Sequence, residues 1–239
     1  MARKRITEED LLSYRKMAEE LSEEVAVKYD ALEKAKKAAE DVEVRDIGIL
    51  LLRSEDVDIE KMRLFAANAK RNGFAAEMVD LEKHIVPGAA PTKRVPEWER
   101  VMDKAQLGYV MLSEHAERIV VFGAGCSAPI ATLIAEQYPV EALVIVGEGP
   151  AAKAFTPKRT AAKLASVAKH NLFSIVCPVY CITPEKDDVF KSGSAQLYHS
   201  STRSDDVRLE TAPGMSVSGM WTECEHELEK RIFEYMNAL

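Results

Sequence analysis

Cysteine is scarce in this sequence, with four residues among 239. The four positions form no paired framework of the kind that holds small secreted domains together. Cys177 and Cys181 are predicted on one strand face, but the strand rise separates them by about 13 Å, which is too far for a disulfide. We therefore expect a protein of a reducing compartment, with the cytoplasm as the default.

Long apolar runs are also missing. No stretch approaches the roughly 20 residues that a membrane-spanning helix needs, so no membrane span is expected. The basic start, Arg3 to Arg5, is followed by the acidic stretch from Thr7 to Asp10 and not by the apolar core of a signal peptide. We expect no secretory signal.

Histidine is scarce, with five residues, and the 32 Lys and Arg residues are outnumbered by 39 Asp and Glu. The formal net charge is -7 and the pI is near 5.4, with Lys and Arg scattered, so nucleic-acid binding is not expected. The histidines show no metal-ligand spacing, and the sequence Gly147-Glu148-Gly149 lacks the pattern of a phosphate loop. The sequence therefore predicts neither a metal nor another cofactor.

What the chain does have is a globular composition, 47% hydrophobic and 30% charged, which suits one domain with a full core. Apolar runs at Ile47 to Leu52 and Phe74 to Val79 alternate with helical patterns at 58–72, where Gly73 follows as the C-cap, and at 96–113. A further strand is predicted at Cys177 to Thr183. Such alternation predicts an α/β fold with a doubly wound, mostly parallel sheet. We place this domain at residues 45–239, with a short Ala- and Lys-rich helical insertion at about 151–173.

Residues 1–44 precede that domain and are predicted to be helical. Thr7 is suited to the N-cap, and apolar residues then recur at spacings of three and four, as Leu11, Tyr14, Ala18, Leu21, Val25, Leu32 and Ala35. This apolar face either packs on the chain's own domain or contacts a second copy or another protein. A change in solution mass after deletion of Met1 to Glu40 would indicate the second interpretation.

The stretch from Arg118 to Pro150 is predicted to fold as strand, tight turn, helix and strand. The apolar run from Ile119 to Phe122 stops at the small residues Gly123 to Ala128, where a helix begins at once. A second buried strand follows at Ala142 to Val146. A parallel unit of this kind needs helices on both faces of its sheet.

The turn in this unit resembles the nucleophile elbow of the α/β-hydrolase superfamily, in its esterase and monoacylglycerol-lipase-like (serine aminopeptidase S33-like) branch. In that family the motif G-x-S-x-G places a serine on a strained strand-to-helix turn. Gly123 fits the first glycine, Gly125 stands in the place of the serine, and Ser127 stands in the place of the second glycine. The resemblance covers about Asp46 to Leu239 and implies the family's sheet, with a reduced lid and an added N-terminal helical segment.

The resemblance also implies a degenerate catalytic triad. Asp187 occupies the position of the family's catalytic aspartate, although an aspartate there also suits an ordinary turn. The family's histidine is expected in the loop Ala212 to Trp221, which contains none. Met220, Val217 or Ser218 takes its place.

The oxyanion segment departs from the family pattern as well. Arg53-Ser54 stands where the family usually has His-Gly. The long, positively charged side chain of Arg53 could fill the pocket, bind an anionic group, or lie exposed at the end of its strand. The predicted ligand pocket comprises Arg53, Ser54, Gly125, Cys126 and Met220.

Two other residues are candidate nucleophiles. Shifting the alignment of the motif by one residue puts Cys126 at the nucleophile position, as in dienelactone-hydrolase-like members. Shifting it by two puts Ser127 there, and Pro129 then stands where a small residue is needed. Either choice requires a histidine from an unexpected place such as His84. Cys126 is also suited to a plain packing role in the turn.

Three hypotheses follow. The first is a pseudoenzyme that keeps the α/β-hydrolase scaffold and binds a small acyl-type ligand or a protein partner. The second is a divergent carboxylic-ester or thioester hydrolase that uses Cys126 or Ser127. The third is a subunit of a larger assembly held through the N-terminal helix.

Overall fold

The computed structural model describes residues 45–54, 57–81, 97–147, 172–185, 195–212 and 225–239, with the backbone alone at 97–99, 126 and 225. The chain divides into two compact units, Met1–Glu43 and Val44–Leu239, and the described residues all belong to the second. The predicted N-terminal helical segment lies outside the described residues. So does the predicted lid insertion as far as Asn171.

The described part alternates strands with helices along the chain. The strands are β1 (Ile47–Arg53), β2 (Ala75–Asp80), β3 (Arg118–Ala124), β4 (Ala142–Val146), β5 (Val179–Pro184) and β6 (Val207–Ala212). The helices are α1 (Ile59–Arg71), α2 (Glu97–Ser113), α3 (Ala128–Gln137), α4 (Gln196–Ser201) and α5 (Glu225–Asn237), with 3₁₀ turns at Gly125–Ser127 and Leu172–Ser174. No helix within these ranges is both long enough and apolar enough to cross a membrane.

The strands form one sheet in the order β2-β1-β3-β4-β5-β6, and each neighbouring pair is parallel. One hydrophobic cluster packs α2, α3 and α4 on one face of the sheet. A second cluster packs α1 and α5 on the other face. The predicted doubly wound parallel sheet is therefore confirmed.

Strand β1 shows why a strand of this sheet appears in the sequence as an unbroken apolar run. All of its residues are buried, because both faces of the sheet are covered by helices. Leu50 and Leu52 belong to the cluster with α2 and α3, whereas Ile49 and Leu51 belong to the cluster with α1 and α5. Successive side chains thus point to opposite faces.

Helix α1 begins and ends at residues suited to those positions. The Asp58 carboxylate accepts hydrogen bonds from the backbone N–H groups of Glu60 and Lys61, at 2.9 and 3.1 Å. At the other end Gly73 has a φ of 83°, and the N–H groups of Gly73 and Phe74 donate to the carbonyls of Lys70 and Ala69. This arrangement is a Schellman motif, and it confirms the predicted glycine stop.

The strand predicted from Cys177 starts two residues later. Pro178 has no N–H for the ladder, and regular pairing begins at Val179. The predicted start of this strand at Cys177 is therefore wrong, although Cys177 and Cys181 do lie on the same side of the sheet. Both are free thiols buried in the same hydrophobic cluster.

Candidate functional site

The elbow lies at the carboxyl end of β3. The strand ends at Ala124, the 3₁₀ turn occupies Gly125–Ser127, and α3 starts at Ala128. Gly125 has a φ of 52°, and among the described residues positive φ occurs only at glycines. This left-handed conformation costs an ordinary L-residue free energy and is accessible to glycine. The left-handed position of the turn therefore falls on Gly125.

Gly123 is the glycine that lets α3 approach the sheet. A Cβ atom built on it would lie 2.7 Å from the Cβ of Ala131 and 3.0 Å from the Cα of Ala128. The second of these is a backbone atom, so a side chain would require the helix to move. This close approach fits the part of the first glycine in the elbow motif.

The hydroxyl of Ser127 points into the protein. The side chain has no exposure, and its Oγ accepts a hydrogen bond of 2.8 Å from the Ala124 N–H. The same Oγ lies 2.6 Å from the Leu52 carbonyl and 2.9 Å from the Ala124 carbonyl, either of which can accept its single proton. These bonds tie the carboxyl end of β1 to the elbow.

Arg53 ends β1 beside the elbow and is buried, with 7% of its surface exposed. Its Nε donates to the Val57 carbonyl at 2.7 Å, and its Nη1 lies 2.9 Å from Oδ1 of Asp80 at the end of β2. The alternative of an exposed arginine at the strand end is wrong. Two nitrogens of its guanidinium group, Nε and Nη1, thus bind groups that the following loop and the neighbouring strand supply.

Ser54 is the next residue, directly after the end of β1, and it contacts the end of β3. It is buried, and its Oγ donates to the Ala124 carbonyl over 3.4 Å. Ser54, Ala124 and Ser127 are thus joined at the junction of β1 and β3. The structure brings Arg53, Ser54 and Gly125 of the predicted pocket to one edge of the sheet.

Asp80 and Lys104 belong to the same edge and were missed by the sequence reasoning. The Nζ of Lys104 donates to the Asp80 carbonyl at 3.2 Å, and burial lowers the pKa of this ammonium group while the charge of Asp80 opposes the shift. The sequence signal for Asp80 was its place directly after the apolar run Phe74 to Val79, at the carboxyl end of a predicted strand. Its pairing with Arg53 depends on the register of β1 and β2, which only the structure shows.

The remaining predicted site residues lie outside the described part of the chain. This applies to Asp187, to Met220, to His84 and to the side chain of Cys126. The ends of β5 and β6 lie side by side, where the Glu185 N–H donates to the Ala212 carbonyl at 3.1 Å.

Histidine is not brought to the elbow by the described elements. His115 is exposed in the turn after α2, His199 is exposed on α4, and His226 is exposed on α5. Within the described ranges, no three His, Cys, Asp or Glu side chains are close enough together to hold a metal ion.

Comparisons with known proteins give a result at the level of structure. No protein-family model matches the sequence, and no curated protein matches it significantly. Solved structures do match. One of the metagenome-derived lipolytic enzymes LipS and LipT superposes with a TM-score of 0.68 and 14% identity over 83% of this chain and 96% of that chain.

Two further solved structures agree with that match. Est1E from Butyrivibrio proteoclasticus is 10% identical, with a TM-score of 0.58 over 83% of this chain and 91% of its own. The monoacylglycerol lipase of Paleococcus ferrophilus is 12% identical, with a TM-score of 0.58 over 81% of this chain and 95% of its own. The chain has the α/β-hydrolase fold.

The turn between β3 and α3 holds Gly125, with a φ of 52°, and a buried Ser127. Arg53 ends the neighbouring strand β1, and Ser54 follows it. Identities of 10–14% carry the fold and not the chemistry. The function must therefore be argued from the side chains themselves.

Proposed function

We propose that this chain is a non-catalytic member of the α/β-hydrolase fold that binds a small acyl-type ligand at the elbow. The observation that carries the proposal is Gly125 at the apex of the strand-to-helix turn, with a φ of 52°. Hydrolysis by this fold depends on a nucleophilic side chain at that point. Glycine offers no side chain, so the step that forms an acyl-enzyme has no attacking atom there.

Ser127 is a poor replacement for the missing nucleophile. Its hydroxyl binds the Ala124 N–H and lies against the Leu52 carbonyl in the interior. An attack on a ligand would require these bonds to break and would leave buried backbone groups without partners, at a cost of about 1–3 kcal/mol for each group.

Arg53 supports a binding role over a catalytic one. An oxyanion hole needs donors aimed at the place where negative charge develops. The Arg53 guanidinium is instead held at the strand end by the Asp80 carboxylate and the Val57 carbonyl. In this position it holds the adjoining strand ends together.

The place of the pocket and its ligand class rest on two further arguments. Open parallel sheets bind ligands at the carboxyl ends of their strands, which is where Gly125, Arg53 and Ser54 meet. The similar solved structures include lipolytic enzymes, an esterase and a monoacylglycerol lipase. An acyl-type ligand is the chemistry that those proteins share.

The expected loss of turnover is large enough to make the proposal testable. In a well-studied triad enzyme, removal of the nucleophile or its histidine lowers turnover by about six orders of magnitude. We therefore expect hydrolysis of short-chain p-nitrophenyl esters and thioesters at the background rate for the wild type, for Cys126→Ala and for Ser127→Ala. Robust activity that disappears in Asp187→Asn would contradict the proposal.

Binding is tested separately with ethyl hexanoate as the probe. The ester should raise the unfolding temperature of the wild type, because a ligand that binds only the folded state stabilises it. Gly125→Asn puts a side chain into the elbow that tolerates a left-handed backbone and should abolish this shift. Gly73→Asn makes the same change at another glycine of positive φ, outside the elbow, and should retain it.

The second candidate is a divergent ester or thioester hydrolase that uses Cys126. The backbone of Cys126 lies in the turn immediately before the N-terminus of α3, where the helix dipole favours a thiolate. Thioester hydrolysis that is lost in Cys126→Ala and kept in Ser127→Ala would establish this candidate in place of the first.

A further inference from the structure

Strand β6 closes one side of the sheet. It pairs with β5, and no other strand in the described part of the chain pairs with it. Edge strands present backbone groups that another strand can bind, and proteins usually protect them with charged side chains, proline or bulges. β6 has charged residues at Arg208 and Glu210 but no proline, and Leu209 at its middle is 41% exposed.

The hydrogen bonds to β5 fix which residues of β6 turn outward. The carbonyl of Asp206 accepts from the Val179 N–H at 2.9 Å, and the carbonyl of Ala212 accepts from the Glu185 N–H at 3.1 Å. In a parallel pair the residues that bond to one neighbour alternate along the strand. Since Asp206 and Ala212 face β5, the backbone groups of Val207, Leu209 and Thr211 point away from it.

The side chains of β6 alternate between the two faces of the sheet. Arg208 and Glu210 lie on the face that carries α5, where the guanidinium of Arg208 is 5.2 Å from the Tyr235 ring centroid and Glu210 bonds to Tyr180. Val207 packs with the cluster on the opposite face. Leu209 and Thr211 share that face with Val207, because side chains alternate along a strand.

We propose that β6 pairs with β6 of a second copy of this chain, in antiparallel register centred on Leu209. Leu209 would face Leu209 of the second copy, and Val207 would face Thr211. Each of these pairs uses the outward backbone groups and exchanges two backbone hydrogen bonds. The result is a two-fold interface made by one self-complementary patch that extends the sheet across both copies.

Charge supports this register. Around a two-fold axis at Leu209, Arg208 lies opposite Glu210 of the second copy, in the non-hydrogen-bonded positions where side chains approach most closely. Both side chains are partly exposed, although each already has an ion pair within its own chain, Arg208 with Asp206 and Glu210 with Arg231. The contact across the axis would add to these pairs. Centring the pair on Arg208 or on Glu210 would place like charges directly opposite each other, which is destabilising.

The first test is the solution mass of the full chain by light scattering over a range of concentrations. We expect the wild type to approach twice the 26.6 kDa of one chain. Leu209→Lys should return it to the mass of one chain, because two ammonium groups would face each other across the axis. Leu107→Lys is the matched control, since Leu107 is an exposed leucine on α2 that the proposed interface does not include.

Two results would overturn the proposal. One is a wild type that stays at the mass of one chain at every concentration. The other is a dimer that persists unchanged in Leu209→Lys, because the contact would then lie elsewhere, as in the N-terminal segment.

The second test locates the contact with a disulfide. Directly opposed residues of a hydrogen-bonded antiparallel pair have Cα atoms about 5.5 Å apart, which is within the range of a disulfide. Leu209→Cys should therefore give a covalent dimer on oxidation, whereas the wild type and Leu107→Cys should not. A Leu209→Cys protein that forms no more covalent dimer than these controls would contradict the β6 interface.

Discussion

At the scale of single residues, Ser127 is the side chain whose role changes most between sequence and structure. The sequence offers it as a candidate nucleophile because it is a hydroxyl in an elbow turn. The structure places its Oγ between the Ala124 N–H and the Leu52 carbonyl, with no exposure. Its contacts are those of a residue that joins two strand ends.

The replacement Ser127→Ala should therefore lower stability. It leaves the Ala124 N–H and the Leu52 carbonyl without the hydroxyl, and we expect a loss of about 1–3 kcal/mol in the free energy of unfolding. Urea titration measures it. Ser113→Ala is the control, because that exposed hydroxyl donates to a carbonyl within its own helix, and its removal should change little. Unchanged stability in Ser127→Ala, together with lost hydrolysis, would assign the hydroxyl to chemistry.

Arg53 shows a second limit of what the sequence predicts about a single residue. Its position at the end of an apolar strand could be read from the sequence, but its exposure could not. Asp80 is 27 residues away and becomes its partner only because β1 and β2 pair in a register that aligns the two. Burial of a cation of this kind depends on such a partner.

At the scale of elements, helix α1 is the clearest case in which local sequence determines structure. Asp58 caps its first turn and Gly73 ends it in a left-handed conformation. Both signals act within a few residues along the chain, so the sequence pattern predicts them well.

Gly73→Ala should destabilise the protein through this helix end. Alanine at a φ of 83° is strained, and we expect a loss of about 1 kcal/mol in the free energy of unfolding. Gly73→Asn should cost less, because asparagine adopts the left-handed region more readily. Equal losses in both variants, measured by urea titration, would show that side-chain contacts and not the backbone conformation matter there.

Other element ends were predicted less well, as β5 shows. The apolar run begins at Cys177, yet the ladder begins at Val179. Hydrophobicity marks burial, and burial at Cys177 arises in a segment that does not pair. A pattern of apolar residues cannot separate these two situations.

At the scale of the whole molecule, buried acidic groups should make stability fall at alkaline pH. Burial raises the pKa of the Cys177 thiol to about 11 and that of the Cys181 thiol to about 12, from an ordinary 9.0. Burial also raises the pKa values of Tyr109, Tyr180 and Tyr235. All five groups keep their protons in the folded protein at a pH where the unfolded chain releases them.

The sign of the effect follows from proton binding. Between about pH 9 and pH 11 the unfolded state holds fewer protons than the folded state, so the free energy of unfolding decreases as pH rises. We expect each thiol to contribute a loss of about 1 kcal/mol by about pH 10. Urea titrations at about pH 7 and about pH 10 measure the difference. Cys181→Val should show a smaller decrease, and equal slopes for this variant and the wild type would contradict the assignment.

The sequence alone determined the fold class of this protein and the strand, tight turn and helix that meet at Gly123 to Ala128. Apolar runs bounded by helical patterns, a glycine stop after α1 and Gly123-Ala124-Gly125 at the end of a strand are local signals, and each acts within one or two turns of chain. Gly125 at the apex is visible in the same way, because its absence of a side chain is a property of the sequence.

Only the tertiary structure decided the order of the strands, the partners of Arg53 and Ser127, and the place of β6 as the last strand on one side of the sheet that the structure describes. The contact between Ser127 and Leu52 joins residues 75 positions apart, and it exists because β1 and β3 lie side by side in one register. Such contacts depend on the relative placement of whole strands. Local sequence patterns report burial and backbone preference, and they carry no information about which strand becomes the neighbour.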